Sequence, residues 1–148
     1  MTGTVPGRAF ALAAHFPTRY NHEGAIMERN AIQPTEVSYA QAHEISGFQR
    51  LLFISGQLPQ CEKCVLPKDF DGQCRRAWAN VEQQLKQAGM DFSNLVKVTT
   101  YLTERRLRQR NYEIRHEILG KHTPALTVII AELYEEGWMI EIEAVAAA

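Results

Sequence analysis

Polar and apolar residues alternate near the end of the chain with the period of a β-strand. Residues 140–144 read Ile-Glu-Ile-Glu-Ala, so a strand here sends the carboxylates of Glu141 and Glu143 to one face and the isoleucines to the other. A half-exposed antiparallel strand often alternates in this way with its charges in water. The alternative is that one of the two glutamates lines a cleft and transfers protons.

The same alternation, or a short apolar run bounded by turn residues, predicts five more strands. Pro34 ends the first of them, and Ser55-Gly56-Gln57 ends the third. In chain order the six predicted strands cover about residues 27–32, 39–45, 51–54, 95–102, 125–133 and 139–146.

Two segments repeat their apolar residues with helical spacing instead. Gly89 stops the first helix, and Gly120 forms the C-cap of the second, with Pro124 beyond it. The repeated positions are Cys74, Trp78, Val81 and Leu85 in the first helix, and Leu107, Asn111, Ile114 and Ile118 in the second. The predicted order is β-β-β-α-β-α-β-β, an α+β fold with both helices on one face of a largely antiparallel sheet.

The sheet face that no helix covers is predicted to be apolar. It is expected to carry Phe53, Val128 and Ile130. Packing against further copies of the chain around a closed axis would remove such a face from water. We therefore expect a homo-oligomer.

Residues 1–26 show neither period and are rich in Gly, Ala, Pro and His. We expect them to be an N-terminal extension that drapes over the domain or is partly disordered. A single domain at 27–148 follows, and Met27 is a candidate start or alternative start.

Composition agrees with one globular domain. The chain has 148 residues, of which 45% are hydrophobic and 22% charged, and its formal net charge is −1. Such a balance supplies no overall field that would attract nucleic acid or an anionic membrane. The sequence also lacks a run long enough to span a membrane and the apolar core of a secretory signal. We therefore expect a cytoplasmic protein.

The three cysteines are Cys61, Cys64 and Cys74, which form one CxxC pair and one isolated residue. A tetrahedral zinc site needs four ligands, and a second CxxC or HxxxH pair is missing, although histidines from elsewhere could be recruited in space. We therefore expect no metal. In the favoured interpretation Cys74 lies on the apolar face of the first helix, while the CxxC pair lies in a loop of a reduced protein.

Several short motifs follow one another in an order that resembles one known family. In chain order they are MERNAI, ISGQLP, WANVEQQLKQAGMDFSNLVKVTTYL, NYEI, PALT and IEIEAVA. The set resembles the Rid superfamily, also called the YjgF/YER057c/UK114 family, over residues 27–148. The resemblance implies a chorismate-mutase-like homotrimer with three clefts between subunits. In the best-known members it implies hydrolysis of reactive enamines and imines to keto acids and ammonia, without a cofactor.

The resemblance also implies which residues line the cleft. Glu141 matches a glutamate that helps to place the attacking water, and Ser55 and Gly56 match small residues after the third strand. Tyr39 matches a lid tyrosine. Asn111 matches a helix asparagine, and a slip of one residue would move that match to Tyr112.

One departure from the family pattern affects the substrate. The archetypal imine deaminases have Pro-Ala-Arg-Ser where this chain has PALT, and that arginine holds the substrate carboxylate. Leu126 takes its place, Thr127 follows, and Val128 replaces a cysteine. Because leucine offers no donor to a buried carboxylate, we expect a substrate that is neutral or carries its polar group elsewhere.

Arg105 or Arg115 replaces the missing anchor only if the fold brings one of them into the cleft. Both belong to the charged segment ERRLRQRNYEIRHE. Its amphipathic pattern favours placing both cations in water.

Three functions are compatible with the sequence. The first is deaminase-type hydrolysis of an enamine, imine or related C–N substrate without the usual α-carboxylate, with Glu141 as the proton relay. The second is a trimer that binds a ligand or partner without turnover, which the missing arginine favours. The third is endoribonuclease activity, served solely by the cluster of Arg105, Arg106, Arg108, Arg110 and Arg115. It ranks last, and nucleic acid is not an expected partner.

Overall fold

The computed structural model describes residues 26–60 and 65–148. Apart from Ile26, the predicted extension lies outside the described residues, and so do Cys61 and Cys64. The predicted order of elements is confirmed. The elements are β1 (Glu28–Pro34), β2 (Ala40–Ser46), β3 (Leu51–Gln57), α1 (Phe70–Gln87), β4 (Leu95–Leu102), α2 (Arg108–Leu119), β5 (Ala125–Ile130) and β6 (Ile140–Ala147).

The six strands form one mixed sheet in the order β1-β2-β5-β4-β6-β3. β5 runs parallel to both of its neighbours, while the other three pairings are antiparallel. The sheet is therefore more mixed than the largely antiparallel sheet that we expected. Parallel strands need a long crossover connection, and α2 supplies it between β4 and β5.

The hydrogen-bonded pairing between the neighbouring strands β2 and β5 is short. Ala40 and Ala125 are the residue pair that joins these strands in the sheet. The backbone N–H of Ala40 also donates to the carbonyl of Pro124 at 3.1 Å. Within the sheet the β1–β2 hairpin is thus joined to β5 at one end, while Arg29 at its other end donates to the carbonyls of Ser93 and Ala147.

Local capping sets where the helices begin and end. At the start of α1, Asp69 Oδ1 accepts a hydrogen bond from the backbone N–H of Gly72 at 2.7 Å, which satisfies a free helix donor. Gly120 ends α2 with a φ of +56°, as the sequence predicted. Between the helices, Arg110 Nε donates to both carboxylate oxygens of Asp71 at 2.8 and 2.9 Å.

The core lies between the helices and one face of the sheet. The predicted stripe of α1 is confirmed, since Cys74, Trp78, Val81 and Leu85 are at most 1% exposed. Alternate residues of β6, among them Ile140 and Ile142, pack against the same cluster. Because side chains alternate along a strand, Glu141 and Glu143 point to the face that the helices leave open.

The expected apolar residues of that open face are only partly confirmed. Phe53 does lie there, and 74% of it is exposed. The placement of Val128 and Ile130 was wrong, because they pair with Thr100 and Leu102, which point to the helices. The side chain of Thr127, which pairs with Thr99, points to the open face instead. Both faces of β5 remain partly exposed, and the strand ends at Ile130 rather than at residue 133.

A β-bulge interrupts the pairing of β3 with β6. Ile54 pairs with Ala144 and Gln57 with Ile142, so three steps along β3 match two steps along β6. The extra residue bends the strand and takes backbone groups near Gly56 out of the regular ladder.

Candidate functional site

The side chain of Glu141 lies directly against the β3 bulge at Gly56. A Cβ added to Gly56 would meet Glu141 Oε1 at 1.6 Å and its Cδ at 2.6 Å. The backbone of Gly56 has no positive φ, so the need for glycine at this position is steric and not conformational. A bulged glycine on one strand therefore makes room for a carboxylate from the next.

Polar side chains of β4 surround the two glutamates on the open face. Tyr101 pairs with Glu141 across the β4–β6 ladder, and Thr99 pairs with Glu143. The Tyr101 hydroxyl donates to Glu143 Oε1 at 3.3 Å. Desolvation, followed by the nearby Glu143 carboxylate, raises the pKa of Tyr101 above its usual value. Tyr101 therefore stays a hydrogen-bond donor at neutral pH.

A cavity of about 320 Å³ opens beside this group. Its polar lining includes Ser55, Lys97, Thr99 and Glu143. Lys97 Nζ donates to Thr127 Oγ1, and burial lowers the pKa of this lysine. Ser55, Gly56, Thr127 and Glu141 thus share one face of the sheet, with Lys97 and Tyr101 among them.

The other candidate residues lie on the helix side. Leu126 packs against the core, and Val128 shares its face. Asn111 on α2 is 1% exposed. Tyr39 ends the loop that docks onto α2, where Arg115 donates to the carbonyl of Val37 at 3.2 Å.

The structure therefore divides the candidate residues into two groups. The sheet itself separates the two groups, so within one chain they do not line a common cleft. The first group is Ser55, Gly56, Thr127 and Glu141, and the second is Tyr39, Asn111, Leu126 and Val128.

The two candidate arginines have different environments. Arg105 is exposed, as the amphipathic pattern predicted. For Arg115 that prediction was wrong, because it is only 4% exposed. A signal was present in the sequence, since Arg115 follows Asn111 by four residues and so lies on the same side of α2.

Sequence reasoning also missed Lys97 and Tyr101. They share a face of β4 with Thr99 by simple alternation. Their closeness to the glutamates depends on the β4–β6 register, which no local pattern contains.

Cys74 is buried within the core, as expected. Desolvation raises the pKa of its thiol to about 12, so the reactive thiolate is scarce at neutral pH. Across residues 26–60 and 65–148, no group of three or more His, Cys, Asp or Glu side chains is arranged to hold a metal ion. The helices in this part of the chain are also too short or too polar to cross a membrane.

A mixed six-stranded sheet with two helices on one face and a glutamate held against a bulged glycine on the other defines a chorismate-mutase-like α+β protein. The family model described as Endoribonuclease L-PSP matches residues 28–148. The chain therefore belongs to this family, the Rid superfamily.

Individual relatives support the assignment. A RutC family protein of Pyrococcus horikoshii is 31% identical over 123 residues, which cover 82% of this chain and 94% of the relative. The 2-iminobutanoate/2-iminopropanoate deaminase of Bos taurus is 28% identical over 99 residues, or 66% of this chain and 72% of the enzyme. A crystal structure of a Rid family protein of Yersinia pestis shares the fold, with a TM-score of 0.70 at 23% identity, over 81% of this chain and 98% of its own.

Proposed function

We propose that the protein is a homotrimeric small-molecule hydrolase that cleaves an enamine, imine or related C–N substrate lacking the usual α-carboxylate. The observation that carries this proposal is the position of the Glu141 carboxylate. It lies against Gly56, at the bulge where β3 leaves its regular pairing with β6. Membership of a family with members named imine deaminases supports the reaction type. The cytoplasmic location expected from the sequence belongs to the same proposal.

Hydrolysis of an imine requires few catalytic groups. A protonated imine is already electrophilic, so the enzyme must place a water, move protons and stabilise the tetrahedral intermediate. In our proposal Glu141 takes a proton from the attacking water and returns it to the departing nitrogen. Backbone N–H groups that the bulge releases from the ladder are available as donors. This reaction requires neither a metal nor an organic cofactor.

Assembly is needed to complete the site in this proposal. The helix-side group meets the Glu141 group only if the open face of one copy packs beside β5 of another. The exposure of Phe53 and of both faces of β5 supports such packing. We therefore place the small-molecule ligand in three clefts between the subunits of a trimer.

We expect light scattering to give three times the 16.8 kDa of the chain. Replacing Phe53 by Asp should shift the protein toward the monomer, because it places a charge in the apolar contact. The control is Tyr134→Asp, since Tyr134 is 91% exposed and lies in the loop between β5 and β6, outside the strands. A parent protein that stays monomeric at micromolar concentration would contradict the proposed assembly.

The substrate preference follows from Leu126. Imines derived from serine, threonine or leucine should be hydrolysed weakly or not at all, because their α-carboxylate has no donor at this position. The test is ammonia release from 2-aminoacrylate, compared with relatives that carry the arginine. Rates equal to those of the relatives would refute the preference. Leu126→Arg is the converse variant, and its folding must be checked because a buried arginine without supporting partners destabilises a protein.

The other two functions receive less support. A trimer that binds without turnover is the alternative if no imine is hydrolysed. For an endoribonuclease, the arginine cluster would have to form a basic surface, yet Arg106 pairs with Glu104 and Arg110 with Asp71. We therefore do not propose nucleic acid as a partner.

A further inference from the structure

Arg115 is a cation enclosed in the fold with no carboxylate partner among residues 26–60 and 65–148. Its guanidinium lies 5.5 Å from the centre of the Tyr112 ring, and one terminal nitrogen donates to the carbonyl of Val37 at 3.2 Å. Among the ion pairs of the part of the chain that the structure describes, none includes Arg115. The acidic residues beyond that part are Glu23 and Glu62.

Two donors on the same side of α2 also lack acceptors. Within the part of the chain that the structure describes, Arg115 Nε is buried without a hydrogen-bond partner, and so is Asn111 Nδ2 one turn earlier. A buried donor without a partner costs about 1–3 kcal/mol, and more when the group is charged. A guanidinium remains protonated at any physiological pH, so burial does not remove its charge.

A purely structural role explains only part of this arrangement. The bond to Val37 holds the loop before Tyr39, but a neutral amide side chain would serve a carbonyl equally well. The Val37 bond and the contact with the Tyr112 ring leave three features unexplained: the missing anionic partner, Arg115 Nε and Asn111 Nδ2. An anion that accepts from both donors would explain all three.

We propose that Arg115 and Asn111 bind the anionic end of the ligand. A carboxylate accepts from Arg115 Nε and from Asn111 Nδ2, with the rings of Tyr112 and Tyr39 nearby. This proposal rests on the proposed function and names its substrate class: a C–N compound whose carboxylate lies away from the reacting carbon. The anion is held from α2, and position 126 of β5 takes no part.

The test uses anions and a neutral analogue on the full chain. The probes are acetate, inorganic phosphate, 4-oxopentanoate and methyl 4-oxopentanoate, followed by calorimetry and by thermal unfolding. The parent should bind 4-oxopentanoate more tightly than its methyl ester, because the ester lacks the charge. Arg115→Met should weaken binding of the acid roughly tenfold or more and leave the ester unchanged. Arg105→Met is the control, since Arg105 is exposed.

The unfolding temperature distinguishes an anion-binding role of Arg115 from a purely structural one. Without ligand, Arg115→Met should unfold at the parent's temperature or above it, because an unpaired buried charge is gone. Asn111→Asp should also raise the unfolding temperature and abolish binding of the acid, because it places a carboxylate beside the guanidinium. This second variant keeps the test valid if Arg115→Met does not fold.

Several results would overturn the proposal. The first is that the parent binds none of the three anions. The second is that the parent binds 4-oxopentanoate and its methyl ester equally well. The third is that Arg115→Met is less stable than the parent but binds 4-oxopentanoate as tightly. A fall in stability in Glu23→Gln or Glu62→Gln that matches Arg115→Met would identify an internal counter-charge and also refute it. Turnover is a separate readout, so loss of the hydrolase proposal alone would leave anion binding intact.

Discussion

Replacing Glu141 by glutamine should lower the hydrolysis of small imines without an α-carboxylate by about a hundredfold or more, the usual contribution of a positioned acid–base group. Glutamine keeps the size of the side chain and its place against Gly56. It removes the carboxylate that, in our proposal, accepts a proton from the attacking water. The measurement is the initial rate of hydrolysis of imines that the parent turns over, followed as ammonia release from linear N-unsubstituted imines and as ring opening to the amino carbonyl compound for cyclic ones.

Glu143→Gln is the matched control for this experiment. Glu143 lies on the same face two residues further on and accepts a hydrogen bond from Tyr101. Its replacement should change the rate by only a few-fold, because Glu143 is not held against the bulge. If Glu141→Gln were as active as the parent, β6 would simply be a strand with a solvated acidic face, and the assignment of Glu141 would be wrong.

Gly56→Ala should be nearly as inactive as Glu141→Gln. The new methyl group would lie 1.6 Å from Glu141 Oε1, so one of the two must move. The carboxylate is the flexible end of its side chain and moves first, which takes the proton relay out of place while the fold survives. Initial rates and thermal unfolding on the same samples should show a large loss of activity with a small loss of stability.

A double mutant tests the cause of that loss. In a Glu141→Ala background, Gly56→Ala should no longer reduce stability, because the group it collides with is absent. Ser55→Ala is the neighbouring comparison: it should leave the unfolding temperature close to that of the parent, and it should lower the rate far less than Gly56→Ala because Glu141 keeps its place. Full activity in Gly56→Ala would mean that contact with the glycine does not place Glu141.

Local patterns predicted those features of the fold that depend on one element at a time. Alternation in β6 predicted correctly that Glu141 and Glu143 share a face, and helical spacing predicted the buried stripe of α1. Alternation states which residues share a face but not which layer that face meets. For this reason Val128 and Ile130 were assigned to the wrong side, since their side depends on the parallel pairing of β5 with β4.

The candidate site depended still more on long-range structure. Motif resemblance proposed the residues, whereas their division into two groups comes from the order of strands in the sheet. The bulge that brings Gly56 to Glu141 is a mismatch between two distant strands. The charge pattern predicted the wrong environment for Arg115. A cation in a basic segment is normally solvated, whereas Arg115 is buried.

The single residue pair between β2 and β5 has a consequence for motion. Besides this pair, the β1–β2 hairpin is held by the side-chain bonds of Arg29, the contacts of His43 with His122 and Thr123, and the docking of residues 35–39 onto α2. Regions with fewer supporting contacts open at lower free energy than the core. The hairpin is therefore expected to open more readily than the central strands, so its backbone amides should lose protection from hydrogen exchange before those of β4 and β6.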